Sequence, residues 1–177
     1  QKRGTTESKN EVIVRGPGGD ENSRIVLGAY GKGTSPVMDG SALGADAAAF
    51  WFGHRTLPLG YVDVYSFVIH TSRGINSENG GHHLRIVDCD VSKCWDNAGI
   101  FLKDVYDGSD ISLHNEILNV VSHDNNSNEF HGIKSAAGAT LRNCKTYNNG
   151  ANGISAFTNC LIDHCYAYRN IWGLETQ

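Results

Sequence analysis

Three basic residues stand beside a short repeated phrase. Lys103 follows Gly99 by four residues in "GIFLK". Lys134 follows Gly132 by two in "HGIKS", and His131 immediately precedes that glycine. β-Elimination needs a base beside a carboxylate and a positive charge to hold that carboxylate as it becomes an enolate. Lysine and histidine supply both, so Lys103, Lys134 and His131 are the catalytic candidates. Asn76, Glu78, Phe101, Phe157 and Glu175 fall in the same frames and are the candidates for substrate contact, the phenylalanine faces by stacking on sugar rings. The competing reading is ordinary solvated charge, with Glu78 paired to Lys103 across one repeat and His131 serving its turn. A glycoside hydrolase would need two carboxyl groups about 5–10 Å apart. Glu78 and Glu175 are four repeats apart, about 19 Å at strand spacing, which ranks hydrolysis below elimination.

Positioning these residues is the task of the repeat. Glycine followed by Ile or Leu occurs at Gly74, Gly99, Gly132, Gly153 and Gly173, with spacings of 25, 33, 21 and 20 residues. Each pair is preceded by alternating apolar residues and a polar turn, as in "RIVDCDVSKCWDNAGI" and "TLRNCKTYNNGANGI". A period in the low twenties built from short strands and Asn/Gly turns signals a solenoid. All but two of the asparagines lie at Asn76 or later, while every proline lies in the first third, which predicts many tight turns of one kind. If the Ile or Leu points inward, Ser77, Leu102, Ser135, Ala156 and Thr176 also point inward. Asn76, Glu78, Phe101, Lys103, Lys134, Ala136, Ser155, Phe157, Glu175 and Gln177 then point out. Lys103 and Lys134 are expected roughly 8 Å apart on neighbouring coils, close enough to bracket a uronate carboxylate.

The longest repeat carries an insertion, "KDVYDGSDISLHNE". Its Asp104, Asp107 and Asp110 could offer oxygen ligands to Ca²⁺, although the spacing is not that of an EF-hand. Asp88, Asp90 and Asp96 are an alternative carboxylate cluster. The five cysteines include no CxxC pair, which argues against zinc. Cys89, Cys144 and Cys165, with Asn119 between the first two, are expected to form one interior ladder. Cys144 and Cys165 could come close enough for a disulfide, while the odd count argues against full pairing. With 177 residues and a net charge of −4, the chain suits one globular domain and has no basic block to neutralise nucleic-acid phosphates. No apolar run is long enough to span a membrane, and the opening "QKRGTTESKNE" is not a signal peptide.

The coils resemble right-handed parallel β-helix proteins of the pectate-lyase-like class. The upstream "VIVRGPGGDENSRIVLGAYGKGTSPVMDGS" looks like the segment that leads into the first regular coil in secreted members. The fold expected is all-β, a right-handed single-stranded parallel β-helix of about six or seven coils. Residues 1–60 would form irregular N-terminal coils and 61–177 the regular ones, with both ends reading as cut within the solenoid. The resemblance implies a sugar-binding groove on the sheet opened by the Gly-Ile pairs. It also implies an acidic polysaccharide as partner, β-elimination as the chemistry and an extracellular or cell-surface setting. The adjacent-aspartate Ca²⁺ signature of pectate lyases and the paired aspartates of polygalacturonase-like hydrolases are both missing. A non-catalytic adhesin, binding or structural module is the alternative on the same fold.

Overall fold

The computed structural model describes residues 1–8, 11–15, 18–45, 47–53, 59–77, 81–103, 113–125 and 130–176. Among them it has no helix, and twenty short strands lie in three parallel sheets. The chain visits the sheets in turn, as in Arg85–Val87, Asp90–Ser92 and Ile100–Leu102. Sheet 1 stacks seven strands: Val12–Val14, Ala48–Phe52, Arg73–Ser77, Ile100–Leu102, Ile133–Ser135, Asn152–Ala156 and Trp172–Thr176. Sheet 2 runs from Ile25–Gly28 to Leu161–Asp163, and sheet 3 from Thr6–Ser8 to Tyr166–Tyr168. This is a parallel β-helix. Residues before Tyr61 contribute strands to all three sheets, so the N-terminal stretch stacks on the same solenoid.

The Gly-Ile frame holds. Val12, Phe50, Ile75, Ile100, Ile133, Ile154 and Leu174 pair in one inward column. Sheet 2 adds Val64, Ile86, Ile117 and Leu141, all buried. Burying such columns is the main source of stability, because one coil alone cannot cover its apolar side chains.

The corners explain the asparagines. At all three corners of the coil, most turns have a residue in the left-handed region. Before sheet 2 these are Tyr61, His83, His114 and Asn159. Between sheets 2 and 3 they are Ser66, Asp88, Asn119, Asn143 and His164. After sheet 3 they are Lys93, Asp124, Asn148 and Arg169. Asn and Asp adopt this conformation at least cost among residues with a Cβ. At the middle corner they also bond outward in a chain: Asn119 Nδ2 donates to Asp88 Oδ1 at 3.0 Å, and Asn143 Nδ2 to Asn119 Oδ1 at 3.2 Å.

Asn119 is therefore exposed and does not belong to the interior ladder. Main-chain bonds from Val121 to Cys89, Lys145 to Val120 and Tyr166 to Cys144 put Val120 in that column instead. The frame is offset by one because the left-handed residue, and not the cysteine, is what Asn119 matches.

A second asparagine column is buried. Asn125 Nδ2 donates to Asn149 Oδ1 at 2.9 Å, and Asn149 Nδ2 donates to Asn170 Oδ1 at 2.9 Å. The main-chain N–H of Cys94 ends the column on Asn125 Oδ1 at 3.0 Å. The repeated glycine makes room for it. A Cβ on Gly153 would lie 2.5 Å from Asn170 Nδ2 and 2.8 Å from Gly173 O. Asn149→Ala is expected to cost about 2–4 kcal/mol, because it strips partners from buried polar groups above and below. Asn143→Ala, at an exposed corner, should cost only about 1 kcal/mol, from left-handed backbone strain. Urea unfolding of both variants checks the order; equal losses would remove the buried column from the account.

Candidate functional site

The outer side of sheet 1 presents one row in register: Ile13, Trp51, Asn76, Phe101, Lys134, Ser155 and Glu175. Lys103 and Phe157 extend the face beyond the strand ends. Parallel pairing brings these side chains together although a hundred residues separate some of them. The Lys134 ammonium lies 5.5 Å from the Phe101 ring centre and 5.5 Å from that of Phe157. The Lys103 ammonium lies 5.9 Å from the same Phe101 ring. The two lysines thus share one aromatic ring, and a second ring flanks Lys134 on its other side. Such cation–π contacts hold an ammonium over the ring face.

His131 stands beside them. It is half-buried, and its Nδ1 is shielded from solvent with no hydrogen-bond partner. Desolvation holds its pKa below the ordinary histidine value and the neighbouring Lys134 pushes the same way, while Glu175 opposes. The ring is therefore neutral at pH 7, with Nδ1 unused. Glu175 is fixed by Asn152 Nδ2 and, at 3.4 Å, by Ser155 Oγ. His131, Asn152, Trp172, Leu174 and Glu175 line a cavity of about 340 Å³. A smaller one, about 210 Å³, lies at the other end of the face beside Glu11, Ile13, Arg15 and Trp51. Arg73 caps that end, its guanidinium 5.5 Å from the Trp51 ring and ion-paired with Asp96 at 2.7 Å.

Of the residues singled out by sequence, Lys103, Lys134, His131, Phe101, Phe157 and Glu175 share this face. Asn76 lies on the outer row but is only 2% exposed, seated between Trp51 and Phe101, and its Oδ1 has no partner. Ser155 and Ala136 were also expected to be exposed, and both are fully buried. Ser155 points outward, but longer side chains on neighbouring coils close over it; Ala136, just past the strand Ile133–Ser135, packs into the hydrophobic core. Glu78, Asp104, Asp107, Asp110 and Gln177 lie outside the described residues. Asp88, Asp90 and Asp96 do not cluster. Asp88 binds Asn119 at a corner, Asp90 faces His123 on sheet 3, and Asp96 holds Arg73. Among the described residues no group of three or more His, Cys, Asp or Glu could hold a metal ion.

Sequence reasoning missed Trp51, Asn152 and Trp172. The last two were findable: each precedes the repeat glycine, as His131 does, and Asn152 pairs with Trp172 in register. Trp51 lies in "AAAFWF", which lacks the Gly-Ile phrase.

No family model, characterised protein or solved structure matches the chain. No helix among the described residues is long and apolar enough to cross a membrane.

In a histidine NMR titration, His131 should protonate below the ordinary value of about 6.5. Lys134→Met should move that titration up, and Glu175→Gln should move it down, since each removes the charge acting in the other direction. Either shift in the reverse sense would show that His131 responds to something else.

Proposed function

We propose that the sheet 1 face binds a uronate-containing polysaccharide and breaks it by β-elimination. The observation that carries this reading is one juxtaposition. Lys134 is braced between Phe101 and Phe157 beside a desolvated histidine whose Nδ1 is unpartnered. In this reading Lys134 and Lys103 bind the sugar carboxylate. They stabilise the negative charge that grows on it when the adjacent proton leaves. The His131 imidazole, which lines the cavity, takes that proton; being neutral at pH 7, it is already in the form a base requires. Glu175, held by Asn152 and Ser155, accepts from a sugar hydroxyl. Trp172 and the Phe101 and Phe157 ring edges supply apolar contact. The resemblance of the coils to pectate-lyase-like β-helices supports the same class, and with it an extracellular or cell-surface setting. The insertion's aspartates could hold Ca²⁺, which would help neutralise the carboxylate; no step described depends on it.

A second reading has its own support. Two ammonium groups resting on aromatic rings suit anion binding without chemistry, as in a non-catalytic carbohydrate-binding module.

The test is incubation with a panel of uronate polysaccharides, with Ca²⁺ and with chelator, following ultraviolet absorbance of the unsaturated product. Elimination is expected, with its acidic limb below about pH 6.5, because the lowered pKa keeps His131 neutral down to that point and activity falls only where the ring protonates. Lys134→Ala and His131→Ala should each lower kcat/KM by about 10²-fold or more, with the melting temperature nearly unchanged for Lys134→Ala. Binding without product would favour the module. Full activity in both variants would remove this face as the site.

A further inference from the structure

Cys144 and Cys165 occupy the interior column at the corner between sheets 2 and 3, one coil apart. The N–H of Tyr166 donates to Cys144 O at 2.9 Å, and the following residues, Lys145 and Tyr166, pair in register. The two main chains are thus at strand spacing, about 4.8 Å, inside the roughly 4.4–6.8 Å between Cα atoms that a disulfide bridges. Their side chains occupy the same inward position: the Cys165 thiol donates to Leu141 O, in the coil of Cys144, at 3.6 Å, and the Cys144 thiol donates to Ile117 O, one coil further back, at 3.3 Å. The other three cysteines have no such neighbour. Val120 separates Cys89 from Cys144 by a whole coil. Cys94 is fully buried, against Ser92 O. Cys160 sits at a different corner, against Ser135 Oγ and Ala136 O.

The geometry points to Cys144 and Cys165 as an oxidisable pair that closes a disulfide between these two coils. This holds whether or not the sheet 1 face acts on a polysaccharide.

The chemistry has a direction. Cys165 is partly exposed, and the adjoining Cys144 thiol holds its pKa below the ordinary cysteine value, which favours the thiolate there. Cys144 is fully buried and pushed the other way. Burial raises Cys89 to about 11 and Cys94 to about 12, which leaves both inert. A low-molecular-weight disulfide is the oxidant. The Cys165 thiolate attacks one of its sulfurs, forming a mixed disulfide and expelling one thiolate. Cys144 then loses its proton and attacks Cys165 Sγ, expelling the second thiolate. Two protein thiols are oxidised and one small disulfide is reduced to two thiols. The new bond ties Leu161–Thr176, whose strand Trp172–Thr176 is exposed throughout, to the coil beneath it. That strand carries Glu175 and Trp172, so the bond would secure one wall of the larger cavity.

The experiment uses the whole chain, purified under reductant and then equilibrated in a glutathione buffer rich in the oxidised form. Thiols titrated after denaturation should fall from five to three. Peptide mass mapping should find residue 144 joined to 165. The melting temperature should rise by roughly 5 °C over the reduced protein, as expected for a crosslink closing a loop of this size. Cys165→Ser should keep its four remaining thiols reduced and show no rise. Cys144→Ser should instead acquire one glutathione at Cys165; if that variant does not fold, the wild-type peptide map and Cys165→Ser still decide. Five thiols remaining, or a linkage to Cys89, Cys94 or Cys160, or between two chains, would overturn the inference.

Discussion

Main-chain hydrogen bonding between parallel coils is the constraint on which the rest of this molecule depends. Each coil pairs residue for residue with the next, so whatever stands at one position in a coil is pressed against the same position above and below. A position can hold a given residue only if that residue tolerates its own kind, or something of compatible size and charge, about 4.8 Å away. The isoleucine, cysteine and asparagine columns are all answers to this demand. The buried asparagines solve it through an amide that is donor and acceptor at once, so each link satisfies the next. The glycine column solves a different part of it, leaving room for those amides and for the carbonyl of the following glycine.

The same constraint builds the chemical face. Stacking cannot keep two lysines apart once they fall on adjacent coils; it has to make their proximity tolerable. Phe101 and Phe157 do this by offering ring faces to the ammonium groups, and the staggered frames of Lys103 and Lys134 spread the charge along the strand direction. His131 is desolvated by the coils that flank it, and a neighbouring cation reinforces the effect. The basicity of this face is thus a product of repetition and needs no specialised loop. Histidines elsewhere on the solenoid respond to packing in the same way: burial is also the main cause lowering His70, His82 and His83.

Corners set the limits of the pattern. A left-handed residue recurs at each of three turns, and its tolerance for many residue types, from Tyr61 to Arg169, shows that stacking outweighs local preference there. Asparagine is favoured at these turns and is not obligatory, because neighbouring coils hold the backbone in place once pairing has begun.

The coil frame was legible in the sequence because stacking leaves a one-dimensional trace. The Gly-Ile phrase marks where sheet 1 begins, and alternation from that mark assigned Leu102, Ser135 and Ala156 inward and Phe101, Lys134 and Glu175 outward. The gathering of Lys103, Lys134, His131, Phe101, Phe157 and Glu175 on one face followed from the frame alone. What the frame does not contain is the size of the neighbours. Asn76 and Ser155 point outward yet are covered, because coverage is set by Trp51, Phe101, Lys134 and Glu175 on other coils, and Ala136 turns into the core once the strand has ended. Trp51 itself was hidden because its coil lacks the phrase. Asn119 was misplaced by one position because a left-handed corner residue and the interior residue after it are adjacent in sequence and opposite in direction. The sequence by itself determined which residues share a column; only the tertiary structure decided which of them reach solvent and which thiols and charges meet, since those depend on contacts between coils that no single coil encodes.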